Sequence, residues 1–201
     1  MNDYRKSSDR IELGRGDALL AVDVQNDFLP GGSLAVAEGN LVIPMLNSYI
    51  GQFIERRLPV FASRDWHPFN HCSFIRQGGP WPEHCIAGTI GAEFPADLHL
   101  PDSVHVISKG GDAGQDGYSV FTNRDFKRRL DNAGIRRLSV GGLATDYCVL
   151  NTVRDALNFR FKVLLLTDAI RAVNVRRDDG EKAINEMIEQ GAIPITLAMI
   201  E

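Results

Sequence analysis

The sequence predicts an α/β fold, a parallel sheet covered by helices on both faces, and three observations carry that prediction. Short apolar runs recur along the 201 residues. Amphipathic segments of helical period separate them, the alternation expected of βαβ units. A single long stretch shows neither period and is rich in Pro, Gly, His and Trp.

The polar segment Met1 to Gly16 reads as a short frayed leader, and Arg15-Gly16-Asp17 as a turn before the first strand rather than an adhesion motif. The first strand is Ala18 to Val24 (ALLAVDV). Asn40 to Arg57 then carries Leu41, Ile43, Leu46, Ile50 and Ile54 near helical spacing. Pro59 to Ser63 and Val104 to Ser108 are the second and third strands. A helix over Asp125 to Ala133 stops at Gly134, and Arg137 to Gly141 is the fourth strand. Thr145 to Asn158 is helical through Val149, Val153 and Leu157, and Lys162 to Thr167 is the fifth strand. Asp178 to Gln190, closed by Gly191, leads to the sixth strand, Ile193 to Leu197. Runs this apolar suit strands buried on both faces. One domain spanning 1–201 is expected from the length.

Composition narrows the partners. Hydrophobic residues make up 44% and charged residues 24%, ordinary for a soluble protein with a core. The net charge is −4 and the Lys/Arg residues are scattered, which argues against nucleic acid. No stretch approaches the roughly 18 apolar residues of a membrane helix, and the N-terminus is not basic-then-apolar, so no membrane partner and a cytoplasmic location are expected. Three cysteines, Cys72, Cys85 and Cys148, form no scaffold spacing, and free thiols are expected. Oligomeric state is left open, a homo-oligomer included.

In an open α/β sheet ligands bind beyond the carboxyl ends of the strands, so polar residues at strand exits are the candidates. Asp23 interrupts the first apolar strand, where a buried carboxylate needs a partner. Lys109 ends the third. The fourth runs into Gly141-Gly142-Leu143-Ala144-Thr145-Asp146-Tyr147-Cys148, and its glycines permit the sharp turn that exposes a nucleophile. Singly, these read as a cap, a solvated charge and a small buried hydrophobe. Together, a thiol near a helix start, a carboxylate to take its proton and a cation to hold the negative charge make an acyl-transfer site.

The aperiodic stretch, Arg64 to Pro101, holds four histidines and two tryptophans. A loop this long in a compact domain is expected to be functional. Asp65 and His67 are two apart, so an extended chain points both side chains the same way, and His84 completes a two-His, one-carboxylate set. Such a set leaves positions open for water and substrate. Zinc, iron(II) and manganese all suit it, and ligand chemistry alone does not choose among them. His71 is a fourth ligand or, preferred, a residue supporting the ligands; His99 and His105 read as structural. Glu83 and Cys85 lack the spacing of a closed cysteine-type zinc site. The bland alternative is that these histidines only hydrogen-bond the loop to itself.

The segments VDVQNDFLPGGSL, SRDWHPFNHCSF, GGPWPEHC, the lysine of ISKGGD, YSVF and GLATDYCV, in this order, resemble nicotinamidases of the isochorismatase-like hydrolase superfamily. The resemblance runs from about Ala18 to the last strand; GGDAGQDG, between Lys109 and Tyr118, lies outside the shared motifs. It implies a three-layer α/β/α domain with a six-stranded parallel sheet, a catalytic triad of Asp23, Lys109 and Cys148, and one divalent metal on Asp65, His67 and His84. It also implies a cis peptide before Ala144 and an oxyanion hole of the Ala144 and Cys148 N–H groups. Phe28, Trp81 and Tyr118 match positions that wall a pyridine ring. The implied reaction converts nicotinamide to nicotinate and ammonia through a Cys148 thioester, with pyrazinamide a further substrate. The nearest rival is an amidase of the same superfamily acting on another small amide or a carbamoyl compound; an iron oxygenase and a non-catalytic scaffold are more distant ones.

Overall fold

The computed structural model describes residues 10–201. Its strands are β1 (Asp17–Val22), β2 (Val60–Asp65), β3 (His105–Lys109), β4 (Arg137–Leu143), β5 (Lys162–Arg171) and β6 (Ile193–Ile195). Its α-helices are α1 (Val42–Glu55), α2 (Arg124–Asn132), α3 (Leu150–Asn158) and α4 (Asp179–Glu189). All strand pairings are parallel, in the order β3-β2-β1-β4-β5-β6.

The two-residue period of each strand divides its side chains between two cores. Along β1, Ala18, Leu20 and Val22 join one buried cluster and Leu19 and Ala21 the other. α1 covers the second with Leu46, Tyr49, Ile50 and Phe53, while α2, α3 and α4 cover the first with Phe126, Leu130, Val153, Ala156 and Met187. Each such large side chain contributes roughly 1.5–3 kcal/mol by its removal from water. This is the three-layer α/β/α arrangement expected from the sequence. One helix cannot span its face of a six-stranded sheet, and the long loop makes up the difference: Ala92 and Leu98 are buried in the α1 core, with Phe94 and Leu100 packed against it.

Several boundaries differ from the sequence reading. β1 ends at Val22 because Asp23 takes a left-handed φ of 48° that no strand continues. β5 runs on to Arg171, its outer half re-paired with β4 past a register shift between Val140 and Gly142. The expected helix from Thr145 opens as a wide π-turn over Thr145–Val149 and becomes α3 only at Leu150. The frayed leader is also corrected where it can be seen, residues 1–9 lying outside the described residues. Ile11 donates its N–H to Met199 O at 2.7 Å and accepts from Glu201 N–H at 3.1 Å, and Leu13 is buried, so the chain around Ile11 is held by the C-terminus. Arg15-Gly16-Asp17 does lead into the first strand, and Asp17 accepts from Arg137.

The direction of winding reverses between β1 and β4, which puts the ligand crevice at their carboxyl ends. A Cβ on Gly142 would lie 2.1 Å from Val22 O, and its φ is +123°, so only glycine lets these two strand ends approach this closely.

Candidate active site

Four strand exits converge at this crevice. Asp23 follows β1, Lys109 closes β3 beside Asp65 at the end of β2, and Cys148 sits in the π-turn after β4. Lys109 Nζ lies 2.9 Å from Asp23 Oδ2, 2.6 Å from Asp65 Oδ1 and 3.4 Å from Cys148 Sγ, one neighbour for each ammonium proton. Ser63 Oγ donates to Asp23 Oδ1 at 2.7 Å. Asp23 Oδ2 is fully buried and faces the Lys109 ammonium. All four of these charged or reactive side chains are buried. The Leu143–Ala144 peptide is cis, as the resemblance implied.

Burying four such groups is tolerable only because they compensate one another. Burial pushes the Cys148 thiol well up, and Asp23 and Asp65 push it further, against the pull of Lys109. Burial likewise raises the Asp23 carboxyl despite Lys109. For Asp65 burial is outweighed by Lys109 and His67, which hold its carboxyl below the ordinary range. Burial would lower the Lys109 ammonium, but the two carboxylates overcome it and raise it. The resting cluster is therefore a neutral thiol and a locked cation, next to a carboxylate with raised affinity for a proton.

Asp65, His67 and His84 form a second, adjoining group whose donor atoms lie within 4.8 Å of one another. The imidazoles suit a metal ion by their tautomers. His67 Nδ1 donates to Gly110 O at 2.9 Å and His84 Nδ1 to Pro82 O at 2.8 Å; a carbonyl only accepts, so each Nε2 carries the free lone pair. His67 Nε2 faces Asp65 Oδ2 at 3.6 Å. A Cβ on Gly110 would strike the His67 ring at 2.4 Å, so the glycine after Lys109 makes room for this imidazole. His71 is committed elsewhere: its Nε2 donates to Gln115 O at 3.2 Å and its Nδ1 pairs with Ser73 Oγ at 2.7 Å. Its ring stacks on His67 with centroids 4.0 Å apart, in support of that ring rather than beside it as a donor. His99 and His105 are exposed and away from this group; His105 packs on Phe61. Glu83 pairs with Arg76, and the Cys85 N–H donates to Asp27 Oδ2.

Both groups open into one pocket, lined by Asp65, His84, Ala144 and Cys148 at its base and by Phe28, Trp81 and Tyr118 on its walls. Trp81 Nε1 donates to Tyr118 Oη at 2.9 Å, and Phe28 packs on His84 with centroids 5.6 Å apart. Sequence reasoning missed Leu34, Tyr147 and Val173, which also line it. Tyr147 meets Trp81 edge-on at 4.9 Å. Val173 is placed by Asp146, whose carboxylate accepts the Val173 and Asn174 N–H groups at 2.9 and 2.8 Å.

The chain has clear relatives among known proteins. A nicotinamidase of Escherichia coli (strain K12) is 41% identical over 90% of this chain and 95% of its own length. A nicotinamidase/pyrazinamidase of Mycobacterium tuberculosis is 34% identical over 85% and 93%. Among solved structures, the pyrazinamidase of Pyrococcus horikoshii in complex with zinc superposes with a TM-score of 0.87 at 42% identity, covering 90% of this chain and 99% of that one. PnC1 from L. infantum in complex with nicotinate gives 0.88 at 35%, covering 95% and 99%. The isochorismatase domain model matches residues 17–199, nearly the whole described chain, and on these grounds the chain belongs to the isochorismatase family.

Proposed function

We propose that this chain hydrolyses nicotinamide to nicotinate and ammonia, and pyrazinamide by the same route, as a single-domain cytoplasmic enzyme. The observation that carries the reading is the pocket itself, where Cys148, backed by buried Asp23 and Lys109, and Asp65 and His84, beside His67, face a lining of aromatic rings. The former suits acyl transfer from a small amide; the latter suits a heteroaromatic ring with a basic nitrogen. Relatives that act on nicotinamide support it.

Asp65, His67 and His84 would hold a divalent cation, zinc in the first instance, which when bound would supply an anchor for a ring nitrogen and a polarised water. The chain's residues do the rest. Phe28, Trp81 and Tyr118 sandwich the ring and exclude water, which holds the carboxamide against Cys148. The Cys148 thiol passes its proton to the Asp23 carboxylate, whose affinity for a proton burial has raised, as sulfur attacks the amide carbon. Lys109 stabilises the negative charge that develops on sulfur as Asp23 takes the proton, and the Ala144 and Cys148 N–H groups receive the oxyanion. Collapse returns the proton from Asp23 to the departing nitrogen, releasing ammonia and leaving the thioester. Water then attacks the thioester with Asp23 as base; sulfur leaves and recovers the proton, and nicotinate departs.

Ammonia release from nicotinamide, pyrazinamide and a carbamoyl compound, with metal analysis on the same sample, tests the reading. Turnover of the two ring amides, lost on chelation and restored by zinc, is the expected result. Preference for the carbamoyl compound, or full activity without metal, overturns it.

A further inference from the structure

Gln25 lies two residues beyond Asp23, wholly buried, and the mechanism above does not use it. After β1 stops, the Asp23 N–H still donates to Ser63 O at 3.1 Å, the final main-chain link from this exit to β2. β2 nonetheless continues to Asp65, where its other edge is paired with Lys109. On the edge that β1 no longer covers, the Gln25 side chain stands where a peptide would. The Asp65 N–H donates to Gln25 Oε1 at 2.7 Å, and Gln25 Nε2 donates to Asp65 O at 2.7 Å. The remaining Nε2 proton goes to Ala92 O at 2.8 Å. A buried amide with both donors and its oxygen engaged by main chain is fixed in place.

We propose that Gln25 is a positioning residue for Asp65: its amide replaces the missing rung of the β1–β2 ladder and sets where the Asp65 carboxylate meets Lys109 on one side and the histidine nitrogens on the other. The molecule contains its own control. Asn47 grips the far end of the same loop in the same two-pronged manner, donating from Nδ2 to Asp97 O at 2.7 Å and accepting from His99 N–H at 2.8 Å, away from Asp65. If Gln25 only fastened the loop, the two amides would be equivalent.

This inference rests on the metal reading of Asp65, His67 and His84. The probe is zinc alone, its affinity for the chelator-stripped full-length chain measured by competition with a chromogenic chelator. The visible spectrum of the cobalt(II)-loaded chain reports the ligand geometry. Gln25→Met is expected to weaken zinc about ten- to a hundredfold and to shift the cobalt bands, as loss of a residue supporting a ligand does, while Asn47→Ala stays within about twofold. Zinc binding by Gln25→Met within about twofold of the unaltered chain, or an equal loss in Asn47→Ala, overturns the inference. Gln25→Glu keeps the volume and the acceptor for the Asp65 N–H, and it is judged by the same outcomes should the methionine variant not fold. An unaltered chain that binds no zinc removes the metal reading as well, whereas equal binding by all three chains removes this inference alone.

Discussion

The strand-exit cluster and the long loop meet at one carboxylate, Asp65, but they are held in different ways. Asp23, Lys109 and Cys148 take their places from ladder register and strand ends, and none is more than 5% exposed. His67, His84 and Trp81 hang on a segment whose strand-like pairings, among the described residues, are the isolated bridges His67↔Ile86 and Phe74↔Trp81. What orients them is a set of individual bonds, to Gly110 O, Pro82 O and Tyr118 Oη. The sheet side concentrates charge where solvent cannot relieve it, so each member depends on the others. Along the loop, order is spread over many contacts, and one of them can be lost without the rest. Chemistry common to many amides is thus anchored in the rigid part, and recognition of a particular ring in the adaptable part.

Four variants test that contrast, in falling order of effect. Cys148→Ala removes the nucleophile and is expected to lower kcat for ammonia release by roughly 10⁴-fold or more. Its metal content should match that of the unaltered chain; substantial residual turnover would sink the covalent route. Lys109→Met leaves Asp23 and Asp65 facing each other without a cation, at a cost of about 3–5 kcal/mol. In a chain of this size that lowers the melting temperature by on the order of 10 °C, as calorimetry would show. His84→Ala should reduce metal affinity and kcat/KM about a hundredfold or more, yet leave melting of the metal-free chain close to that of the unaltered one. A fall in melting temperature equal to that of Lys109→Met would erase the distinction between the two regions. Tyr118→Phe takes away only the acceptor of the Trp81 N–H, worth about 1 kcal/mol. A rise of a few-fold in KM at constant kcat is expected, and a loss confined to kcat would place Tyr118 in the chemistry instead of the wall.

The sheet could be read from the sequence because strands buried on both faces leave unbroken apolar runs such as Lys162 to Thr167. Their ends could not, because they depend on partners remote in the chain. The outer half of β5 exists only through pairing of Ile170 and Arg171 with Gly142 and Leu143. Asp23, Lys109 and Cys148 stood out as polar residues where apolar strands stop. Ser63 and Gln25 did not, since a hydroxyl or amide near a strand end looks ordinary until its partner, Asp23 or the Asp65 main chain, is beside it. Leu34, Tyr147 and Val173 were hidden for a related reason. Pocket walls made by turns depend on how those turns are pinned, here by the Asp146 carboxylate and by the Leu34 N–H bond to Asp27 O.

The backbone of Asp23 constrains what descent with variation can do at this position. With φ at 48°, the residue occupies a region that aspartate and asparagine enter far more readily than β-branched or bulky residues. Asparagine would satisfy the main chain and keep the shape but could not take up a thiol proton; glutamate would keep the acid but reach past Ser63 and Lys109 from a less suitable backbone. Glycine would fit the turn and bring no function at all. Every neighbouring sequence therefore surrenders either the geometry or the proton acceptor, and Asp23 is isolated in sequence space by its main chain as firmly as by its carboxylate.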